Sequence, residues 1–169
     1  WNKDAINFDT VTFLPIPDTT VRLANLRSGD IDMLERLAAT DVASVKGDAN
    51  LGFAEAVSLG YQGITVNLNN GEKGDNPFGN EPKIRQAFSL SLDRDAINQV
   101  VFEGAFAPGN QPFPPTSPWY DKDYPVPARD VEKAKALLKE AGYDSLDVEV
   151  QVANNPVQTQ MMQVVQSMA

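Results

Sequence analysis

Seven of the chain's twelve prolines fall between residues 107 and 129. Proline fixes φ and removes a backbone donor, so neither a helix interior nor a central strand survives across such a run. More than twenty residues are thereby committed to irregular structure, a length uncommon inside compact domains. The same stretch carries Phe113, Trp119, Tyr120 and Tyr124. These aromatics argue against disorder and predict an extended strap, ordered by their burial, that packs over this domain or a neighbour. Regular structure must therefore lie on either side of it.

On the N-terminal side, residues 8 to 16 are β-branched and aromatic-rich and read as a strand closed by Pro15 and Pro17. Asp18 then caps a helix through Val21, Leu23, Ala24 and Leu26, which ends at Gly29 in the left-handed conformation. A short strand is expected at 30–34, a helix over 40–46 capped by Thr40, and strands over 51–57 and 63–69. In the last of these, Ile64, Val66 and Leu68 share one face while Thr65, Asn67 and Asn69 share the other. Asn80 is expected to cap a helix with Pro82 in its first turn and Ile84, Ala87, Phe88 and Leu92 inward. Asp93 caps another, with Ile97, Val100 and Val101 inward. Beyond the strap, Asp130 caps a helix through Leu138 to Gly142, residues 146 to 152 alternate as a strand, and a final helix starts near Pro156. Alternating strands and helices predict an α/β class with α+β character, a mixed sheet flanked by helices, and one domain over 1–169.

With 42% hydrophobic and 22% charged residues over 169 positions, the composition is that of a globular chain. Area scaling allows about 8,000 Å² of folded surface against about 27,000 Å² unfolded, so roughly 69% could be buried around one ordinary core. Fourteen basic against 23 acidic residues give a net charge of −9, which opposes nucleic acid and anionic lipid as partners. Histidine and cysteine are both absent. That removes the usual nucleophile–base pairs and most transition-metal sites, and leaves any enzyme to carboxylates, Lys, Tyr or Ser.

The remaining candidate chemistry is weaker than its structural alternative. Asp30/Asp32, Asp93/Asp95 and Asp121/Asp123 have a spacing that suits a hard cation, but none lies in an EF-hand loop and Asp93 is explained as a cap. The run Gly71-Glu72-Lys73-Gly74-Asp75-Asn76 lacks the Ser or Thr and the following helix of a phosphate loop, and reads as a turn. Lys83, Arg85 and Arg94 could clamp an anion, although helix charges usually face water. Asn154 and Asn155 lie between a strand end and a helix start, where open α/β sheets place ligands and where a cap serves equally well. The chain starts Trp1-Asn2 without Met, and its last helix shows the stripe Val157, Met161, Val164, Val165, Met168 with a Gln-rich opposite face and no stop signal. Both ends are thus expected to continue, with any signal peptide lying upstream; a terminus that simply frays is the alternative.

Several ordered stretches resemble the extracellular solute-binding family 5 proteins, the receptors of dipeptide, oligopeptide and nickel ABC importers. They are Ile16-Pro17-Asp18 leading into Arg22 to Met33, Val66 to Asn69 with Asn76-Pro77-Phe78, Ile84 to Phe88 through Leu92 to Ile97, Pro112-Phe113-Pro114-Pro115, and Glu132 to Tyr143. The resemblance spans essentially the whole chain and implies much of the C-terminal lobe of a two-lobed, periplasmic-binding-protein type II receptor, truncated at both ends. It implies a periplasmic or surface-anchored protein that hands a peptide or small solute to membrane permease subunits, with no catalytic residue, metal or cofactor. Ser58, Gly60, Tyr61, Gln62, Thr65 and Asn154, with Ala153 beside it, would line the cleft. Thr65 departs from the acidic residue that some oligopeptide receptors carry there. A non-catalytic interaction domain and a carboxylate hydrolase are the alternatives, the latter lacking any convergent acid pair. Incomplete cover on Met161, Val165 and Met168 would favour self-association.

Overall fold

The computed structural model describes residues 2–68 and 70–169, and the chain divides into two units, residues 1–37 and 38–169. In the first unit, α1 (Thr19–Ser28) starts where the Asp18 carboxylate accepts from the Val21 N–H at 2.9 Å. It stops at Gly29, whose φ of 82° is the expected left-handed cap. Leu23 is buried, and the Arg22 guanidinium donates to the carbonyls of Ile16 and Arg36 at 3.2 and 3.3 Å. The extended residues ahead of α1 leave Phe8, Val11, Phe13 and Leu14 exposed.

The second unit is a set of short helices: α2 (Val42–Lys46), α3 (Pro77–Asn80), α4 (Pro82–Ser91), α5 (Arg94–Phe102), α6 (Val131–Glu140) and α7 (Pro156–Met168). Helix α4 packs on α6 and α5 on α7. Their buried side chains are Ile84, Ala87, Leu92, Val101, Phe102, Ala134 and Val165, with Val45 buried in α2. The caps are the expected ones at Asp93, which accepts from Ala96 N–H, at Asp130, from Lys133 N–H, and at Asn155, from Gln158 N–H, each at 2.9 Å. Three local expectations are corrected. Glu81 rather than Asn80 caps α4, because Asn76 caps the extra short helix α3. Thr40 lies inside a tight turn (Ala39–Asp41) that leads into α2. Val100 is exposed at 57% and Phe102 takes the inward position, in edge-to-face contact with Phe106 at 4.9 Å.

Arginines stitch this unit together through carbonyl oxygens. Arg129 Nε donates to Ser91 O at the end of α4 (2.7 Å) and an Arg129 Nη to Met168 O at the end of α7 (3.4 Å). The Arg94 guanidinium donates to Ser89 O and Oγ at 3.1 and 2.8 Å, and burial pushes its pKa down from the ordinary value. Lys83, Arg85 and Arg94 thus form no joint anion clamp: Lys83 pairs with Glu140 at 3.1 Å between α4 and α6, and Arg85 is bound to α3.

The strands are the main correction. Among the described residues none of 8–16, 30–34, 51–57, 63–69 or 146–152 forms a β-ladder; Asn69, at the end of one of them, lies outside the described residues. A strand is defined by main-chain pairing with a neighbour, and among the described residues these segments show no such pairing. At 30–34 the first donors are already used, since Asp30 and Ile31 N–H both bond to Asn25 O and close the end of α1.

Surface area tells the same story. The chain exposes 12,973 Å², whereas two units of these lengths, each compact on its own, would expose about 9,500 Å² together. The strap is irregular as expected, but Trp119 is 76% and Phe113 45% exposed. Amide side chains close it instead: Gln111 Nε2 donates to Asp121 O at 2.9 Å, Gln111 Oε1 accepts from Asp121 N–H at 2.9 Å, and Asn110 Nδ2 donates to Pro125 O at 2.9 Å.

Candidate functional site

The extended segments 61–67 and 146–153 both line a groove of about 940 Å³ in the second unit. Its other walls come from the helices: Phe78 and Gly79 of α3, Phe88 of α4, and Gln158, Met161 and Met162 of α7, with Lys73 and Asn76 from the preceding turn. Alternation is visible only at the centre of the segment, where Ile64 and Val66 are half-buried while Thr65 and Asn67 face solvent. Tyr61 and Gln62 are both exposed, and Leu68, expected on the same face as Ile64 and Val66, is 52% exposed. Along 146–152, Leu146 is half-buried and Val148, Val150 and Val152 are 36–40% exposed.

Local structure fixes one end of the groove firmly. Asn76 Oδ1 accepts from Gly79 N–H at 3.0 Å, and an Arg85 Nη donates to Gly79 O at 2.7 Å and Phe78 O at 3.1 Å. Phe78 meets Phe88 edge to face at 5.3 Å. A Cβ on Gly79 would sit 2.9 Å from Asn67 O and still closer to Gly74 O. Glycine at 79 is what lets α3 press against the segment that carries Tyr61 to Asn67.

Of the six residues singled out in the sequence, Tyr61, Gln62 and Thr65 line the groove, as does Ala153. Ser58 and Gly60 lie just before it, where the Ser58 hydroxyl accepts from Gly60 N–H at 3.0 Å. Asn154 is exposed beside the α7 cap at Asn155. The structure therefore brings three of the six together along one wall. Sequence reasoning missed Phe78, Phe88, Met161 and Met162 as groove residues, although each lies on an apolar helix position. It also missed the charges Lys73, Asp147 and Glu149. Neutral hydroxyls and amides dominate the polar lining, which suits hydrogen bonding and provides no nucleophile–base pair. Among the described residues no cluster of acidic side chains is fit to hold a metal ion.

The sequence pattern of the bacterial extracellular solute-binding proteins, family 5 Middle, matches residues 1–169. The chain belongs to this family. Among curated family 5 relatives it is 36% identical over 144 residues to heme-binding protein A of Haemophilus influenzae, covering 83% of this chain and 25% of that protein. To the dipeptide-binding protein of Escherichia coli it is 32% identical over 165 residues, covering 94% of this chain and 30% of that protein. Its fold is similar to that of the oligopeptide-binding protein AppA from Bacillus subtilis, solved with a nonapeptide, at a TM-score of 0.67 and 26% identity, over 90% of this chain and 32% of that one. The family 5 chain thus spans between a quarter and a third of the length of these relatives. The family is extracellular by description, and among the described residues no helix is long and apolar enough to cross a membrane.

Proposed function

We propose that this chain is part of a solute-binding receptor of an ABC importer, which captures a peptide or related small solute and delivers it to membrane permease subunits. The observation that carries the reading is the family 5 match over residues 1–169. Dipeptide-, glutathione- and heme-binding names among the relatives support a receptor without chemistry of its own and leave the solute open between peptides and other small molecules. The protein works in the periplasm or anchored at the cell surface. In the complete receptor, 61–67 and 146–152 join a mixed sheet flanked by α3 to α7, and the lobe carrying them closes on a second one.

Ligand contact falls to Ser58, Gly60, Tyr61, Gln62, Thr65 and Asn154. Tyr61 offers a ring face and a hydroxyl, while Gln62, Thr65 and Asn154 offer donors and acceptors that read amide groups without a fixed charge. One wall leaves a solute hydrated on its other side. Each missing charge-assisted hydrogen bond forfeits roughly 1.5 to 3 kcal/mol, so two or three of them weaken a micromolar site to millimolar or beyond. Receptor purified under native conditions and then denatured should release one reproducible peptide or small molecule, identified by mass spectrometry. Gln62→Ala should weaken rebinding of that solute by about tenfold. Release of nothing reproducible, or unchanged affinity in Gln62→Ala and Tyr61→Ala alike, overturns the reading or its site.

A further inference from the structure

The turn ahead of α3 holds a motif that solute capture does not use. Asn70-Gly71 is the chain's only Asn-Gly pair. Glycine has no Cβ to shield its amide nitrogen, so the side-chain carbonyl carbon of a preceding asparagine lies within reach of attack along the same chain. Gly71 has φ of 71° and ψ of −171°, a combination open essentially to glycine alone, so the turn itself demands this residue. Asn70 is exposed. Neither its side-chain amide nor the Gly71 N–H bonds to any other described residue. The Asn70 main chain is held by one neighbour: Asn67 Nδ2 donates to Asn70 O at 3.1 Å, and Asn67 Oδ1 accepts from Asn70 N–H at 2.9 Å. Both bonds face solvent, and exposed bonds in a turn open at the low end of the stability range. Other asparagines lack these conditions. Asn76 and Asn155 precede prolines, which have no N–H, and the amides of Asn98 and Asn110 donate to Phe106 O and Pro125 O.

We propose that Asn70 is a self-modifying site, converted to aspartate and isoaspartate without an enzyme. The Gly71 nitrogen gives up its proton to hydroxide and bonds to Asn70 Cγ; the Cγ–Nδ2 bond breaks, and ammonia leaves with a proton from solvent. Water then opens the resulting five-membered imide. Attack at Cγ leaves aspartate in the ordinary chain. Attack at the former main-chain carbonyl leaves isoaspartate, in which the chain runs through Cβ and Cγ and is one methylene longer. Nothing is oxidised or reduced: one water is taken up and one ammonia released. Either product adds a negative charge to a chain already at −9, three residues from Lys73 on the groove wall. Isoaspartate also lengthens the main chain just ahead of the tight turn Glu72–Gly74, which Gly74 N–H closes by donating to Gly71 O at 3.0 Å. Gly74 O is an atom against which Gly79 is pressed, so the insertion bears on the joint that seats α3. The reaction requires no solute and does not rest on the receptor reading.

The test ages the 169-residue chain at about pH 8, where hydroxide removes the Gly71 proton more readily than in acid, and follows every asparagine by peptide mass spectrometry. Exchange of amide for carboxyl should run about tenfold or more faster at Asn70 than at any other asparagine. Isoaspartate should be among the products, detected by an isoaspartyl-specific methyltransferase. Asn70→Gln needs a ring one atom larger and one more frozen rotor, so it should retain its amide while keeping the helical circular dichroism. Freshly prepared Asn70→Asp supplies the charge without the methylene. Exchange of the Gly74 amide should therefore quicken by several-fold in the aged protein and stay at the parent rate in Asn70→Asp. An Asn70 that keeps its amide while other asparagines lose theirs overturns the proposal, as does equally fast amide loss in Asn70→Gln. Unchanged Gly74 exchange in protein shown to carry isoaspartate overturns its reach into the turn.

Discussion

Gly79→Ala is the substitution whose cost can be worked most directly from the structure. The added methyl would meet Asn67 O at 2.9 Å and Gly74 O at a shorter distance. Both are backbone atoms, so no rotamer change relieves the clash. Helix α3 cannot retreat either, because Gly79 N–H is held by Asn76 Oδ1 and Gly79 O by the Arg85 guanidinium. Overpacking of this kind costs typically 1–3 kcal/mol, and the upper end applies where nothing flexible yields. At 2–4 °C per kcal/mol for a chain of this size, about 3 kcal/mol lowers Tm by about 6–12 °C. Thermal unfolding followed by far-ultraviolet circular dichroism measures it, with Gly52→Ala as control, since nothing lies within 4 Å of a Cβ there. The control should stay within about 0.5 kcal/mol of the parent. A Gly79→Ala melting point within about 2 °C of the parent would refute the close-approach argument.

Three further substitutions probe other joints. Gly29→Val meets no neighbouring atom but forces φ of 82° on a β-branched residue, so urea titration should show a loss of about 1–2 kcal/mol, most of it recovered in Gly29→Asn. Arg129→Leu removes the donors to Ser91 O and Met168 O; a loss of about 1–2 kcal/mol and faster amide exchange in the last turn of α7 are expected, and unchanged exchange there would show that Arg129 does not hold the helix end. Gln111→Ala breaks the bonds that close the strap, and limited proteolysis between residues 112 and 124 should quicken by several-fold, while an unaltered cleavage rate would mean that the strap is held by something else.

Helices were legible in this sequence because their determinants are local. Asp18, Asp93, Asp130 and Asn155 each cap the helix that begins beside them, and the carboxylate or amide oxygen needs only a donor three residues on. The stripe from Val157 to Met168 likewise places Val165 in the core and its companions half-buried. Errors arose where two local signals competed. Asn76 and Asn80 could both cap a helix, and Pro77 and Pro82 could both open one; the chain uses both prolines, with Asn76 and Glu81 as the caps.

The candidate site was legible in pattern and illegible in pairing. Alternation identifies Ile64 and Val66, or Leu146, Val148 and Val150, as one face of an extended segment, but a strand is stabilised by a neighbour that alternation does not name. Segment 146–152 follows α6 closely and 61–67 precedes α3, and the groove they share is completed by residues of α3, α4 and α7. That is why Tyr61, Gln62 and Thr65 could be singled out from their own segment, whereas Phe88 and Met161 could not. Their membership of the site depends on helix packing across some seventy residues of chain.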